Sequence, residues 1–183
     1  AINSTAVAQA ETLPAMASTD VTLEELQAGI RNVPHFPEEG IQFKDITPVL
    51  ADARLLDGCI SHLLGGHSAD TVDIVAGIDA RGFIFGAAMA RELGVGFVPI
   101  RKKGKLPWKI IEESYELEYG SNTIAIHTDA VSAGQRVLLV DDLLATGGTA
   151  AAAANVLARA GGQVVEVVFF IELSFLAGRA KMG

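Results

Sequence analysis

From residue 72 onward, short apolar runs alternate with glycine-bounded helical stretches, and this limits the fold more than any other feature. "VDIVAGI" (72–78), "GFVPI" (96–100), "QRVLLVDD" (135–142) and "VVEVVFFIEL" (164–173) are brief and nearly continuous in apolar character. Strands of that kind are buried on both faces, as in a parallel sheet. Between them, "GFIFGAAMARELG" (82–94) and "GGTAAAAANVLARAGG" (147–162) have helical spacing and end in glycine. Two β-α-β units follow, and with them an α/β fold with a central parallel sheet flanked by helices. In such sheets ligands bind beyond the carboxyl ends of the strands. "VDD", "GIDARG" (77–82) and "IRKKGK" (100–105) all fall there.

The upstream half is less regular. In "TDVTLEELQAGIRNV" (19–33), Thr22 and Glu25 form a capping-box pattern, and Leu23, Leu26 and Ile30 make one helical stripe that Pro34 is expected to stop. "HFPEEGIQFKDITPVL" (35–50) reads as a turn with short extended segments. Residues 53–64 carry Leu56, Cys59, Ile60, Leu63 and Leu64 at helical spacing. Residues 1–17 are small and polar, with neither a secretory nor an Arg-rich transit pattern, and are expected to be an extension, with Met16 a candidate start.

A chain of 183 residues suits one domain, taken as residues 18–183. No apolar run is long enough to cross a bilayer, so a soluble protein is expected. With 14 basic and 22 acidic residues the net charge is −8, which argues against a general nucleic-acid or anionic-membrane surface. The single cysteine, Cys59, excludes an intrachain disulfide and a Cys-based zinc site. A buried structural thiol and a cytoplasmic location are expected.

"VLLVDDLLATGGT" (137–149) poses the chemical question. An apolar strand tolerates no charge in its middle, so Asp141 and Asp142 are expected at its exposed end. The turn Thr146-Gly147-Gly148-Thr149 then leads into a helix whose first amides are free and whose dipole is positive there. Such a terminus suits a phosphate, with the two threonine hydroxyls as added donors. The glycine spacing is not that of a Walker loop, no lysine precedes Thr149, and G-x-G-x-x-G is absent. Two carboxylates beside a phosphate would repel it. Hydroxyls of a sugar carrying that phosphate would satisfy both.

This stretch resembles the binding motif for 5-phosphoribosyl 1-diphosphate (PRPP) in the type I phosphoribosyltransferases. "FPEEGIQFKDITPVL", "AGIDARGFIFG", "IRKKGKLP" and "SYELEYG" narrow the resemblance to the members that act on adenine, from about Leu26 to about Lys181. The resemblance implies transfer of the phosphoribosyl group from PRPP to N9 of adenine, giving AMP and pyrophosphate. It implies Mg²⁺ held through PRPP and water with no direct protein ligand, a homodimer, and no nucleic-acid or membrane partner. The fold it implies has a hood at about 22–50, a core at about 51–183 and a lid at about 102–120.

Residue by residue, the resemblance assigns Asp141 and Asp142 to the ribose hydroxyls and Ala145, Thr146, Gly147, Gly148 and Thr149 to the 5′-phosphate. It assigns Ala80, Arg81, Arg101, Lys102 and Lys105 to the pyrophosphate. Gln42, Phe43 and Lys44 would hold adenine, with Phe43 stacking on the ring and Leu173 as an apolar wall. Glu118, Tyr119 and Arg81 would be catalytic. The connection from Gly104 to Gly120 is longer than most, which fits a lid; Glu113 and Glu116 read as solvated charges. Trp108 stands where the family often has a small residue, and the chain stops at "RAKMG", where relatives usually continue into a final strand. Transfer to another purine, or a PRPP-binding regulator without catalysis, are the alternatives. From Gly161 to Ala177 there is no Lys or Arg to meet the 6-carbonyl of hypoxanthine or guanine, which favours adenine.

Overall fold

The computed structural model describes residues 21–116 and 121–182. The chain divides into two compact units, residues 1–61 and 62–183.

In the N-terminal unit, α1 (Leu23–Gly29) opens with the expected capping box. Thr22 accepts from the Glu25 amide, and Glu25 accepts from the Thr22 amide. A cap of this kind contributes about 1 kcal/mol. The helix ends five residues before Pro34, because Arg31–Pro34 (β1) pairs antiparallel with Gln42–Asp45 (β2). Pro34 therefore closes a strand rather than a helix. A short helix, α2 (Thr47–Ala51), also lies where extended chain was expected: Pro48 sits in its first turn, where a missing N–H costs nothing. Gly29 packs against Val49 and Leu55, and Gly58 against Val21, so close that a methyl group at Gly58 would overlap Val21. The helix α3 (Ala53–Leu64) buries Cys59 completely, and that desolvation pushes its thiol up to about 12. Cys59 is thus the inert, structural thiol the sequence suggested.

In the C-terminal unit, six strands lie in the order β5-β6-β4-β3-β7-β8. They are β3 (Ile74–Ile78), β4 (Gly96–Lys102), β5 (Ile110–Glu116), β6 (Ser121–His127), β7 (Arg136–Leu144) and β8 (Gln163–Glu172). The pairs β3–β4, β3–β7 and β7–β8 are parallel, whereas β5 and β6 extend the sheet antiparallel from the end of β4. The sheet is therefore mostly parallel. The charged stretch after Gly104 is not all loop, since its Ile110–Glu116 portion is the strand β5.

Side chains alternate across a strand, and the two helices divide the faces accordingly. Ala76, Ile78, Val98, Ile100, Val137 and Leu139 pack with Ala153, Val156 and Leu157 of α5 (Gly148–Arg159). On the opposite parity, Gly77 meets the start of α4 (Gly82–Leu93), Val140 meets Gly86, and Phe85 meets Phe170 with ring centroids 5.7 Å apart. Gly94 ends α4 in the left-handed region, as the sequence pattern anticipates. Among the described residues, no helix is long and apolar enough to cross a membrane.

Candidate active site

The register explains why β7 can carry two acids. Its partner β3 matches it only through Gly77↔Val140, whereas β8 continues alongside to Leu144↔Glu172. Past Val140, then, one flank of β7 has lost its neighbour while the other still holds the backbone in place. Asp141 and Asp142 stand at that opening. The expectation of an exposed strand end is corrected, because β7 runs on to Leu144 and Asp142 is only 6% exposed. A buried carboxylate needs a partner, and Arg81 supplies it, donating from Nε to Asp142 Oδ2.

Asp141 has a different environment. Its Oδ1 accepts the Asp142 amide at 2.9 Å. Burial, followed by the charge of Asp142, raises its carboxyl from 3.8 to about 8, against the smaller opposing pull of that amide and of Arg81. Asp141 thus keeps its proton into the neutral range beside the Arg81-paired Asp142. Gly82, the first residue of α4, lies against it: a Cβ there would sit 2.8 Å from Val140 O and 3.0 Å from Asp141 Oδ1. Only glycine lets the helix start this close to the acid strand.

Residues 145–149 form the turn into α5. Gly147 occupies the N-cap with φ of 80°, and no side chain caps the helix, so its first amides remain directed outward. Together with Asp141, Leu143, Leu144, Ala150 and Phe169, the turn lines a hollow of about 70 Å³. Gly178, in the short 3-10 turn Gly178–Lys181, supports the loop from beneath. A Cβ on Gly147 would overlap the Gly178 carbonyl, and a Cβ on Gly178 would overlap the Ala145 carbonyl. Sequence reading missed Gly178, because nothing in "LAGRA" announces a contact with the distant loop at Ala145 and Gly147.

The segment Asp79–Arg81 joins β3 to α4 and contains a cis Asp79–Ala80 peptide. Arg101, at the end of β4, donates from Nε to Asp79 Oδ2 at 3.3 Å and from Nη1 to the Lys105 carbonyl at 3.3 Å. Asp79 therefore orients Arg101 beside Ala80, a role visible in "GIDARG" only once the fold is known. Lys102, the last residue of β4, and Lys105, beyond the adjoining turn, are exposed, and Lys103 pairs with Glu112 at 2.9 Å. Glu113 is not a free surface charge, since it accepts from Arg159 at 2.7 Å. Thr149 donates from Oγ1 to the hydroxyl of Tyr115 at 3.1 Å, a contact no local motif signals.

Leu173 follows β8 and donates its amide to Leu144 O at 2.9 Å, which ties it to the acid strand. Gln42, Phe43 and Lys44 lie together on β2 in the N-terminal unit. There Phe43 meets Phe36 edge-on at 5.2 Å and Lys44 donates to Asn32. Glu118 and Tyr119 lie outside the described residues. Among the described residues, no group of three His, Cys, Asp or Glu side chains could hold a metal ion.

Residues 48–180 match the family model of the phosphoribosyl transferase domain. The adenine phosphoribosyltransferase of Parvibaculum lavamentivorans is 54% identical over 153 residues, which span 84% of this chain and 87% of that protein. The crystal structure of adenine phosphoribosyltransferase from Rhodothermus marinus superposes with a TM-score of 0.84 at 53% identity, covering 88% of this chain and 92% of that one. The Saccharomyces cerevisiae enzyme, complexed with D-2,5-dideoxy-2,5-imino-altritol 1,6-bisphosphate and adenine, superposes at 0.81 with 39% identity, covering 88% and 94%. With that much of its length shared, this chain belongs to the phosphoribosyltransferase family, in its adenine phosphoribosyltransferase branch.

Proposed function

We infer that the protein transfers the 5-phosphoribosyl group of PRPP to N9 of adenine, releasing pyrophosphate and forming AMP. One observation carries this reading. An acid pair, a guanidinium and an uncapped helix N-terminus converge at one strand opening, in a chain more than half identical to an adenine phosphoribosyltransferase.

The 5′-phosphate binds the amides and hydroxyls of residues 145–149, where the dipole of α5 favours negative charge. Asp141 and Asp142 accept the ribose 2′- and 3′-hydroxyls, one acid each, which fixes the sugar in the hollow. The Ala80 backbone, Arg81, Arg101, Lys102 and Lys105 hold the diphosphate. Phe43 stacks on adenine and the backbone near Gln42 and Lys44 reads its edge; Leu173 is the further apolar residue we propose for the base.

As the bond from C1 to the diphosphate oxygen breaks, positive charge builds on the ribose. The electron pair leaves with pyrophosphate, and Arg81 and its neighbouring cations stabilise that charge. N9 of adenine then forms the new bond to C1, and the base gives up one proton, which Glu118 takes at N7. A lid within the segment 102–120, bearing Glu118 and Tyr119, excludes water that would capture the cation. Mg²⁺, held through PRPP oxygens and water, supplies charge neutralisation on the diphosphate. We place the enzyme in the cytoplasm as a homodimer.

Base choice tests the reading. Adenine offers a 6-amino group that a backbone carbonyl can accept, whereas a 6-carbonyl facing a carbonyl loses a hydrogen bond and adds repulsion. In assays of adenine, hypoxanthine and guanine with PRPP and Mg²⁺, we expect adenine to lead by at least about a hundredfold in kcat/KM. Comparable turnover of hypoxanthine would overturn the adenine assignment.

A further inference from the structure

Tyr115 stands in "SYELEYG" with no assigned role of its own, yet its hydroxyl meets the phosphate turn. Ile111, Glu113 and Tyr115 alternate along β5 and share one face, and that face lies on α5. Ile111 and the Tyr115 ring pack against the core that includes Ala152, Ala153, Val156 and Leu157 of α5. Glu113 accepts from Arg159 Nη1 at 2.7 Å, and the same nitrogen donates to the Glu112 carbonyl at 2.8 Å. The strand is thus fixed at the last turn of α5, the ring is fixed by the core, and the phenol oxygen is delivered to Thr149 in the first turn, 3.1 Å away.

The hydrogen count at this contact has a consequence. A threonine hydroxyl owns one proton and so does a phenol. Here Thr149 gives its proton to Tyr115. It cannot give the same proton to a phosphate at the helix terminus. When phosphate arrives, the Thr149 proton must turn toward it. The Thr149 oxygen is then left to accept, and the phenol proton is the donor within reach. The chain becomes Tyr115 O–H to Thr149 Oγ1, and Thr149 O–H to phosphate, in which each bond polarises the next.

We propose that Tyr115 is a positioning residue for the 5′-phosphate, aiming the Thr149 hydroxyl at it and acting only through Thr149. The proposal rests on the reading of residues 145–149 as the phosphate turn. It also gives β5, the strand leading into the lid segment, a direct influence on phosphate affinity.

The test is a double-mutant cycle of Tyr115→Phe, Thr149→Val and both together, with AMP and adenosine affinities measured by calorimetry. Adenosine lacks the phosphate and reports everything else. We expect Tyr115→Phe to weaken AMP about fivefold and adenosine less than twofold, within the range of one lost hydrogen bond. In the Thr149→Val background the same substitution should change AMP affinity less than twofold. An unaltered AMP-to-adenosine ratio in Tyr115→Phe, or full additivity in the double variant, would overturn the proposal while leaving the phosphate turn intact. If the wild type itself binds AMP no better than adenosine, the phosphate turn and the proposal fall together.

Discussion

The two ends of the neighbouring strands β3 and β7 carry the same kinds of charged group in opposite conditions. At the amino end, Asp73 precedes β3 and Arg136 opens β7. Asp73 accepts from the Arg136 amide at 2.7 Å, from Nε at 3.1 Å and from Nη2 at 2.7 Å, and it donates its own amide to the Arg136 carbonyl. Those bonds, led by the side-chain ones, hold its carboxyl down at about 2. At the carboxyl end, Asp141 and Asp142 crowd together beside Arg81, and burial drives Asp141 the other way, to about 8. The first arrangement is complete in itself. On the proposed reading, the second is completed by the hydroxyls of a phosphorylated sugar. A site built to bind in this way stores unfavourable electrostatics in the empty fold.

The largest expected effect is at the acid pair. Asp142→Asn should lower kcat/KM for PRPP by about a hundredfold, the loss of a charge-assisted hydrogen bond in a buried site. Circular dichroism should report an unchanged fold. Wild-type kinetics in this variant would remove the acids from the reaction.

Gly178→Ala should come next. It touches no substrate, yet the added methyl group overlaps the Ala145 carbonyl and must displace the phosphate turn. We expect KM for PRPP to rise about tenfold, with KM for adenine within about twofold, by the usual cost of forcing a packed backbone apart. Equal effects on both substrates would mean the damage is general rather than local.

The pH dependence separates the two ends by sign. Between 3.8 and about 8 the folded protein holds a proton on Asp141 that the unfolded chain has released. Stability from this group therefore falls as pH rises through that window. Asp73 behaves inversely. Between about 2 and 3.8 the unfolded chain holds a proton that the folded protein lacks, so its contribution is present above pH 3.8 and is lost as pH drops toward 2. Thermal unfolding from pH 5 to pH 9 should show Asp141→Asn gaining stability over the wild type as pH rises, although the substitution harms turnover. A variant destabilised equally at every pH would contradict a proton held at Asp141.

The smallest effect on activity belongs to the amino end. Asp73→Asn should lower the Tm while leaving kcat/KM for both substrates within about twofold. A large loss of turnover would erase the distinction between the two ends.

Much of this was legible in the sequence, for identifiable reasons. Four apolar runs had strand character and all four are strands, although the edge strand β8 has no fully buried residue and leaves Val165 43% exposed. Gly94 and Gly161 stop their helices with positive φ, a local property that glycine announces. The acid pair and the following turn are contiguous, and Asp141 and that turn line one hollow. What sequence could not show is long-range. The strand β1 exists because β2 lies beside it, and β5 because β6 does. Asp142 is buried rather than exposed because Arg81, sixty-one residues away, reaches it. Gly178 and Tyr115 act through contacts that only the closed fold makes. Each miss is a partner supplied by tertiary structure, where local pattern has nothing to report.

The claim that Asp141 and Asp142 hold the ribose hydroxyls can be tested from the ligand and the protein together. AMP, its 2′-deoxy and its 3′-deoxy counterparts would be titrated against the wild type and Asp142→Asn by calorimetry. We predict that the wild type favours AMP over at least one deoxy form by about tenfold or more, the worth of a hydrogen bond to a charged group. The variant should lose most of that preference for the same form, because hydroxyl and acid are two halves of one contact. If Asp142→Asn discriminates AMP from both deoxy forms as well as the wild type does, the assignment of Asp142 to the ribose is wrong.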